Sequence, residues 1–327
     1  MSDTETTCPC DEMSANAGRN VYYPVPEDRA AWLRSYDLIL VNSSAGKDSQ
    51  AQLDYTMELT RAAGCADKVQ VVHCDLGRVE WKGTRELAER QADHYGVRFH
   101  AVSRDRDLIH QILVERKKFP GKSARYCTSD QKTAQVVKLI TKLVNELRPS
   151  LGGRKVRVLS LLGLRRQESH ERAVCTCCKN IETPTKAQAA KLPKGWVPKS
   201  ECRCCQGSGE RQELEFDARN SNSKRHIDEW LPILGWSTEQ VWDRIRQSGV
   251  EHHRAYDLGM PRLSCCFCVF ASKGALMLAA KHNPELAAEY VQVEAQIGHK
   301  FNAKFTLAEV VAEAEKTETV TVEDWDA

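Results

Sequence analysis

The sequence predicts an α/β fold built on a doubly wound parallel sheet, with a cysteine-rich metal-binding insertion and a helical C-terminal region. Three observations support this prediction. From Asp37 onward, short apolar runs alternate with longer segments of helical spacing, which is typical of parallel strands joined by helical crossovers. The alternation stops between residues 174 and 210, where cysteines cluster, and an alanine-rich helical pattern begins at Ala275.

Four apolar runs have the length of buried strands. The first two have the pattern of buried strands. We expect these strands at residues 38–42, 69–75, 97–102 and 156–163. Ligands of such sheets bind beyond the carboxyl ends of the strands, so functional residues should directly follow these runs.

The segments between the strands have helical periodicity. Two of them end at Gly64 and Gly96, and glycine commonly terminates a helix. The predicted helices occupy residues 49–64, 84–96 and 133–148, and another begins at an N-cap formed by Ser237 or Thr238.

The composition limits the partners, the compartment and the cysteine chemistry that we expect for this protein. The 47 Lys and Arg against 45 Asp and Glu give a formal net charge of +2, which provides no overall attraction to nucleic acid or to a membrane. The chain begins without a secretory signal pattern and has no apolar stretch long enough to cross a bilayer. We therefore expect a cytoplasmic protein with no membrane partner. In that reducing compartment, the clustering of 14 cysteines indicates metal or iron–sulfur ligation rather than disulfides.

Residues 43–49, SSAGKDS, follow the first predicted strand and open a helix. Small residues let the backbone approach an anion, and the amides at a helix start favour phosphate. A Walker A loop is excluded, because Val41 and Asp48 stand where that motif has its first glycine and its Ser or Thr. The alternative interpretation of this segment, hereafter the 43–49 loop, is an ordinary polar turn.

Several segments resemble, in the same order, those of the phosphoadenylyl-sulfate (PAPS) reductase-like branch of the adenine-nucleotide alpha-hydrolases. The 43–49 loop resembles the PP-loop of that family, Ser-Gly-Gly-x-Asp-Ser, with Ala45 in place of the first glycine. The other matching segments are RYCT at 125–128, GLRRQES at 163–169 followed by Arg172, PILGWSTEQVW at 232–242, a Tyr-x-x-Gly turn at 256–259 and CCFC at 265–268.

The resemblance implies a HUP-type fold and an ATP pyrophosphatase, which splits ATP between its α and β phosphates, as in the ATP pyrophosphatases of DNA phosphorothioation. Cleavage there needs the negative charge on the leaving pyrophosphate to be neutralised. ATP and Mg²⁺ are the implied ligands, and Asp48 is expected to help hold the metal. The resemblance implies catalysis by Lys47, Asp48, Arg165 and Arg172, and nucleotide binding by Ser43, Ser44, Ala45, Gly46, Ser49, Asp75 and Arg125.

The matching positions also define a domain organisation. We expect an N-terminal extension at residues 1–34, a PP-loop nucleotide-binding domain at 35–173, the cysteine-rich insertion at 174–210, and a C-terminal region with a helical tail at 211–327. Taken singly, Asp75 could instead be a simple turn residue, and the arginine-rich run after the fourth strand a solvated loop.

The insertion repeats a Cys-x-Cys-Cys pattern. Each repeat contains a Cys-x-x-Cys, so Cys175, Cys178, Cys202 and Cys205 can form a tetrahedral thiolate site of the zinc-ribbon kind. The alternative is six free cysteines in a polar loop, an arrangement prone to oxidation. Because the insertion lacks apolar residues for a core, a metal ion should fold it.

A second cysteine group follows from the resemblance. The family's order would bring Cys127 together with Cys265, Cys266 and Cys268 as ligands of a [4Fe-4S] cluster. Only Cys127 stands where cluster-containing sulfonucleotide reductases have a Cys-Cys pair, so Cys266 or another residue must supply the fourth ligand. Cys8 and Cys10 form a third small group without a clear partner.

The sequence leaves three functions open. The first is an ATP pyrophosphatase that adenylates an acceptor or supports sulfur insertion into a nucleic acid or a small molecule, with a sulfur-donor protein as partner. The second is a sulfonucleotide reductase. Those enzymes resemble one another in a C-terminal tail cysteine that attacks the sulfonate, and the absence of a cysteine after Cys268 disfavours this function. The third is a metal-stapled module with a degenerate nucleotide site, which docks nucleic acid through the basic residues at 117–125 and the lysines of the insertion. The intact Lys47-Asp48-Ser49 disfavours it.

Overall fold

A computed structural model describes residues 21–192, 196, 198–202 and 204–322. The chain divides into two compact units whose segments interleave along the sequence. The first unit contains the residues up to Val41 together with 55–69 and 143–238, and the second contains 42–54, 70–142 and 239–327. Cys8 and Cys10, the third cysteine group, lie outside the described residues.

The first unit carries a mixed sheet in which parallel pairing dominates the centre. Strand β5 (Val156–Leu161) pairs in parallel with β2 (Leu38–Ser43) and with β7 (Arg225–Trp230), and Val158 lies opposite both Leu38 and Ile227. Strand β6 (Leu214–Phe216) pairs antiparallel with β7 and with β1 (Val21–Tyr23). The predicted strands at 38–42 and 156–163 are confirmed. The antiparallel strands β1 and β6 were not predicted, because three residues are too few to show a period.

The second unit contains the parallel pair β3 (Val69–Cys74) and β4 (Arg98–Val102), with His73 opposite Ala101. Both strands lie where the sequence predicts them. The α/β fold class is therefore confirmed, with the antiparallel pairing of β6 and β1 as an addition.

The helices follow the predicted periodicity closely. The helix Lys47–Ala62 begins within the 43–49 loop. The helix Thr84–Tyr95 ends at Gly96, which has a left-handed conformation with φ 69°, and glycine adopts that conformation without a steric penalty. The helices are α1 (Arg29–Arg34), α2 (Lys47–Ala62), α3 (Thr84–Tyr95), α4 (Ala134–Leu147), α5 (Thr238–Ser248), α6 (Lys273–His282), α7 (Pro284–Ile297) and α8 (Leu307–Lys316). The turn Leu108–His110 continues into a π-helix at Gln111–Arg116, and the turn Tyr126–Thr128 continues through a π-helix at Ser129–Thr133 into α4. Single turns occur at His170–Ala173 and Lys186–Ala189.

The C-terminal helices enclose an apolar core within the second unit. Leu276 of α6, Tyr290 of α7 and Leu307 of α8 are almost fully buried there, together with Phe119 and Phe267. The aromatic side chains pack on one another, with the rings of Phe267 and Tyr290 5.1 Å apart. This core positions the cysteines at 265–268. None of the helices in the described ranges is long and apolar enough to cross a membrane.

Candidate functional site

The 43–49 loop makes a tight turn between β2 and α2. The Ser49 hydroxyl accepts a hydrogen bond from the Ser44 amide at 3.1 Å and donates one to the Gly46 carbonyl at 2.9 Å. Ala45 is fully buried and has φ 55°, a left-handed conformation that costs a residue with a side chain about 1–2 kcal/mol. The turn leaves Ser44 as an exposed residue at the start of α2.

Lys47 and Asp48 lie side by side at this turn. The Lys47 ammonium is 3.2 Å from Asp48 Oδ2 and donates a hydrogen bond to the Pro261 carbonyl at 3.2 Å. Lys47 is 5% exposed, whereas Asp48 is half-buried. The loop thus places a buried, hydrogen-bonded ammonium group and a more accessible carboxylate at the start of the same helix.

Tyr256 fixes the position of the loop and is not among the predicted site residues. Its hydroxyl accepts a hydrogen bond from the Lys47 amide at 2.8 Å, and burial raises the pKa of that hydroxyl well above its usual range. A Cβ added to Gly46 would lie 3.3 Å from the Tyr256 hydroxyl, which explains the need for glycine there. The Tyr-x-x-Gly turn in the sequence was the available signal for this residue.

His73 of β3 contacts Ser43, the first residue of the 43–49 loop, and both residues belong to the second unit. Its Nδ1 lies 3.0 Å from the Ser43 carbonyl, and its Nε2 lies 3.4 Å from Glu80. Burial lowers the pKa of His73, but Glu80 and the Ser43 carbonyl outweigh that effect and hold the pKa above its ordinary value. Neither His73 nor Glu80 was predicted from the sequence, since one buried histidine carries no pattern.

Asp75 follows β3, as predicted. Its carboxylate accepts the Gly77 amide at 2.8 Å and pairs with Arg85 at 3.4 Å. A cleft of about 570 Å³ is lined by Asp75, Glu80 and Arg85, among other residues of the second unit. Asp75 therefore faces open space, although part of its hydrogen-bonding capacity is already used.

Arg125 and the second cysteine group belong to the second unit. Arg125 is exposed, and its guanidinium lies 5.0 Å from the centre of the Phe270 ring. Burial, and then the neighbouring thiols, raise the pKa values of Cys265 and Cys268, and Cys127 is among the groups acting on both. These three half-buried cysteines therefore share one local environment.

Lys132 lies within that environment and was not predicted. Desolvation lowers the pKa of its ammonium, but Cys265, Glu80, Cys74 and Cys268 together hold the pKa above its ordinary value. The ammonium in turn opposes the rise in the pKa of Cys265 and Cys268. A cation placed beside thiols favours their anionic, metal-binding form.

Cys266 has a different environment from its neighbours. It is 1% exposed and packs in the apolar core with Phe267 and Tyr290. Burial raises the pKa of its thiol to about 12. Its predicted role as the fourth cluster ligand stays a prediction.

Arg165 and Arg172 belong to the first unit. Arg165 is 3% exposed, and its guanidinium donates hydrogen bonds to Gln167 at 2.9 Å and to the Thr238 hydroxyl at 3.2 Å. Arg172 forms an ion pair with Glu168. Their predicted catalytic roles stay predictions.

The insertion brings its cysteines together as a compact cluster. The sulfur atoms of Cys175, Cys178, Cys202 and Cys205 all lie within 4.8 Å of one another, and each residue is at most 2% exposed. The Cys175–Cys202 and Cys178–Cys205 sulfur distances are 3.7 Å and 3.6 Å. Thiolates on one tetrahedral zinc ion lie roughly 3.8 Å apart, because each Zn–S bond is about 2.3 Å. This cluster can hold a metal ion.

Comparison with known proteins shows a family and distant likenesses. A sequence model of the phosphoadenosine phosphosulfate reductase domain matches residues 38–271. An uncharacterized protein of Methanocaldococcus jannaschii is 24% identical over 264 residues, covering 81% of this chain and 43% of that protein. The chain thus spans less than half the length of this relative.

Two solved structures are similar at low identity. Candida glabrata FMN adenylyltransferase, in complex with FAD and inorganic pyrophosphate, has a TM-score of 0.40 and 12% identity over 75% of this chain and 60% of its own. The U34-tRNA thiolase NcsA of Methanococcus maripaludis, with its [4Fe-4S] cluster, has a TM-score of 0.35 and 11% identity over 86% of this chain and 72% of its own.

Proposed function

We propose that this chain, which belongs to the phosphoadenosine phosphosulfate reductase domain family, is an enzyme. It binds ATP or a related adenine nucleotide at the 43–49 loop. The proposed reaction is cleavage between the α and β phosphates, with pyrophosphate leaving and the α phosphate passing to water or to an acceptor. The observation that carries this proposal is the small-residue turn at the start of α2, with Lys47 and Asp48 beside it.

The turn suits a phosphate group for two reasons. The exposed Ser44 lies in the loop just before Lys47, the first residue of α2, a helix of 16 residues. The helix dipole and its first amides favour an anion at that end. Hydrogen bonds from Ser49 and to Tyr256 hold the loop backbone in place. A fixed loop does not have to reorganise as negative charge moves to the leaving group.

The charged residues have two proposed roles, neutralisation of phosphate charge and binding of Mg²⁺. Lys47, and Arg125 in the same unit, would neutralise charge on the departing pyrophosphate. Asp48 and Asp75 offer carboxylate oxygens, the ligand type that Mg²⁺ prefers, and a bound Mg²⁺ would neutralise phosphate charge. Arg165 and Arg172 are further candidates for charge neutralisation, assigned from the sequence motif.

The two cysteine centres would have separate cofactors. For the insertion we propose zinc, because its sulfur spacing fits one tetrahedral ion. For Cys127, Cys265 and Cys268 we propose an iron–sulfur cluster, supported by their shared environment and by Lys132. The acceptor would be a small molecule or a nucleic acid, with a sulfur-donor protein supplying sulfur.

The test is the identity of the products from ATP labelled at the α phosphate, with Mg²⁺ and enzyme in excess over nucleotide. We expect label in AMP, or in an adenylated acceptor when one is supplied, and no accumulation of labelled ADP. ADP as the main product would contradict the proposal. A parallel reaction with PAPS and a thiol reductant, assayed for sulfite, tests the sulfonucleotide reductase alternative.

A further inference from the structure

The insertion contains two cysteines beyond the four that fit one metal ion. Its Cys-x-Cys-Cys segments face each other, so that each cysteine of the first contacts its counterpart 27 residues later. A structural zinc ion takes four ligands. Cys177 and Cys204, the middle cysteine of each segment, lie outside this set of four and form, together with Cys202, a second group of mutually close sulfur atoms.

These two cysteines differ from the other four in spacing and in exposure. Their sulfur atoms are 3.0 Å apart, against 3.7 Å and 3.6 Å for the two flanking pairs. That contact is shorter than the roughly 3.8 Å between thiolates that share a tetrahedral zinc ion. Both residues are half-buried, whereas the four candidate ligands are at most 2% exposed. A small reagent can therefore reach this pair more easily than it can reach the ligands.

We propose that Cys177 and Cys204 are a redox-active dithiol that closes to a disulfide beside the metal site. The oxidant is a low-molecular-weight disulfide. The inference goes beyond the nucleotide chemistry and does not depend on it.

The reaction balances without another reagent. The thiolate of one cysteine attacks a sulfur of the small disulfide, forming a mixed disulfide and releasing one small thiol. The second cysteine attacks the protein sulfur of that mixed disulfide, forming the Cys177–Cys204 bond and releasing the second small thiol. The protein dithiol is oxidised by two electrons, and the small disulfide is reduced to two thiols. The sulfur atoms have to approach from 3.0 Å to a bond length of about 2.05 Å.

The bond would connect the same two segments that the metal ion connects. In the reduced protein the insertion depends on metal to hold these segments together, because a metal-stapled module lacks a core of its own. In the oxidised protein the disulfide would hold them after the metal has left. Oxidation should therefore slow unfolding of the insertion by a chelator.

The test uses the full chain, purified without oxygen and loaded with zinc. It is incubated with oxidised glutathione, and its free thiols are blocked after denaturation in chelator. The newly reducible cysteines are then labelled and located by peptide mass analysis, with zinc measured before and after oxidation. Cleavage after Arg203 separates Cys202 from Cys204. Cys177→Ser and Cys204→Ser are the test variants, and Cys65→Ala, which removes a buried cysteine elsewhere in the first unit, is the matched control.

We expect one disulfide between Cys177 and Cys204, full zinc content before and after oxidation, and at least tenfold slower zinc-free unfolding of the oxidised insertion. Either serine variant should keep its zinc and lose the disulfide, while the Cys65→Ala control should behave as wild type. Two zinc ions per chain with all six insertion cysteines protected would overturn the proposal in favour of a two-metal cluster. Oxidation of Cys175, Cys178, Cys202 or Cys205 with release of zinc would also overturn it.

Discussion

The two cysteine groups of this chain both contain a Cys-x-x-Cys pattern, but their surroundings differ. In the insertion, Cys175, Cys178, Cys202 and Cys205 are buried, and their sulfur atoms lie within 4.8 Å of one another. In the second group, three half-buried cysteines share an environment with Lys132, and Cys266 packs in an apolar core. Across the described residues, only the insertion brings at least three metal-ligating atoms this close together.

This difference is consistent with the two kinds of metal centre that we propose. One ion requires its ligands close together, because every sulfur bonds to the same atom. An iron–sulfur cluster binds its cysteines through separate iron atoms, so its ligands lie farther apart. The compact group therefore suits a single ion, and the more open group beside a cation suits a larger, negatively charged cluster.

The largest effect should come from removing two insertion ligands. We expect the double variant Cys175→Ser and Cys178→Ser to lose its zinc and the fold of the insertion, because two thiolates cannot complete a tetrahedral site. Elemental analysis and protease sensitivity between residues 174 and 210 are the measurements.

The matched control is the double variant Cys177→Ser and Cys204→Ser, which removes the same number of cysteines from the same segments. It should keep one zinc per chain and wild-type protease resistance. Full zinc content in the Cys175/Cys178 variant would reject the assignment of the ligands.

The second cysteine group, Cys127 with Cys265, Cys266 and Cys268, should lose its cofactor independently of the zinc site. We expect anaerobic protein to have broad visible absorbance from iron and sulfide, and Cys127→Ser to lose it while retaining zinc. Cys74→Ser is the control, since Cys74 donates a weak hydrogen bond to the Lys132 carbonyl at 3.8 Å and is not a proposed ligand. Colourless, iron-free wild-type protein would defeat the cluster proposal and leave the zinc site standing.

The sequence predicted the parts of this molecule that depend on local patterns. The runs that became β2 to β5 are short and mostly apolar, and the cysteine repeats are visible as spacing. Tyr256, His73 and Lys132 were missed for a common reason: each acts through a contact with residues distant in the chain, such as the Lys47 amide for Tyr256. The 3.0 Å contact of Cys177 with Cys204 likewise depends on how two segments face each other.

A smaller effect is expected at His73, which supports the 43–49 loop without belonging to either cysteine group. Its pKa is raised in the folded protein, so its stabilising contribution is fully present below the unfolded pKa near 6.5 and is lost as pH rises through the higher folded pKa. We expect His73→Gln to destabilise the protein by about 1 kcal/mol at pH 6 and by less at pH 8. Urea unfolding at both pH values, with exposed His94→Gln as control, measures this difference. An equal loss of stability at both pH values would show that the charged form of His73 does not stabilise the folded protein.

The smallest effect should occur at Ala45, within the loop itself. Relief of its left-handed conformation, φ 55°, gains about 1 kcal/mol, and loss of its buried methyl group costs about 0.8 kcal/mol. We therefore expect Ala45→Gly to change the free energy of unfolding by less than about 0.5 kcal/mol and to keep activity. Ala45→Val should be markedly less stable, because a β-branched residue is poorly tolerated at positive φ. Similar stability of the two variants would contradict a left-handed conformation at Ala45.

The proposed function is cleavage of ATP between its α and β phosphates, directed by the 43–49 loop. Its most direct test is the amount of pyrophosphate and orthophosphate released by wild type, Asp48→Asn and the exposed control Asp67→Asn, with melting temperature measured in parallel. We predict pyrophosphate from wild type and Asp67→Asn, and at least a hundredfold less from Asp48→Asn at an unchanged melting temperature. Release of orthophosphate in place of pyrophosphate, or full activity in Asp48→Asn, would contradict the claim.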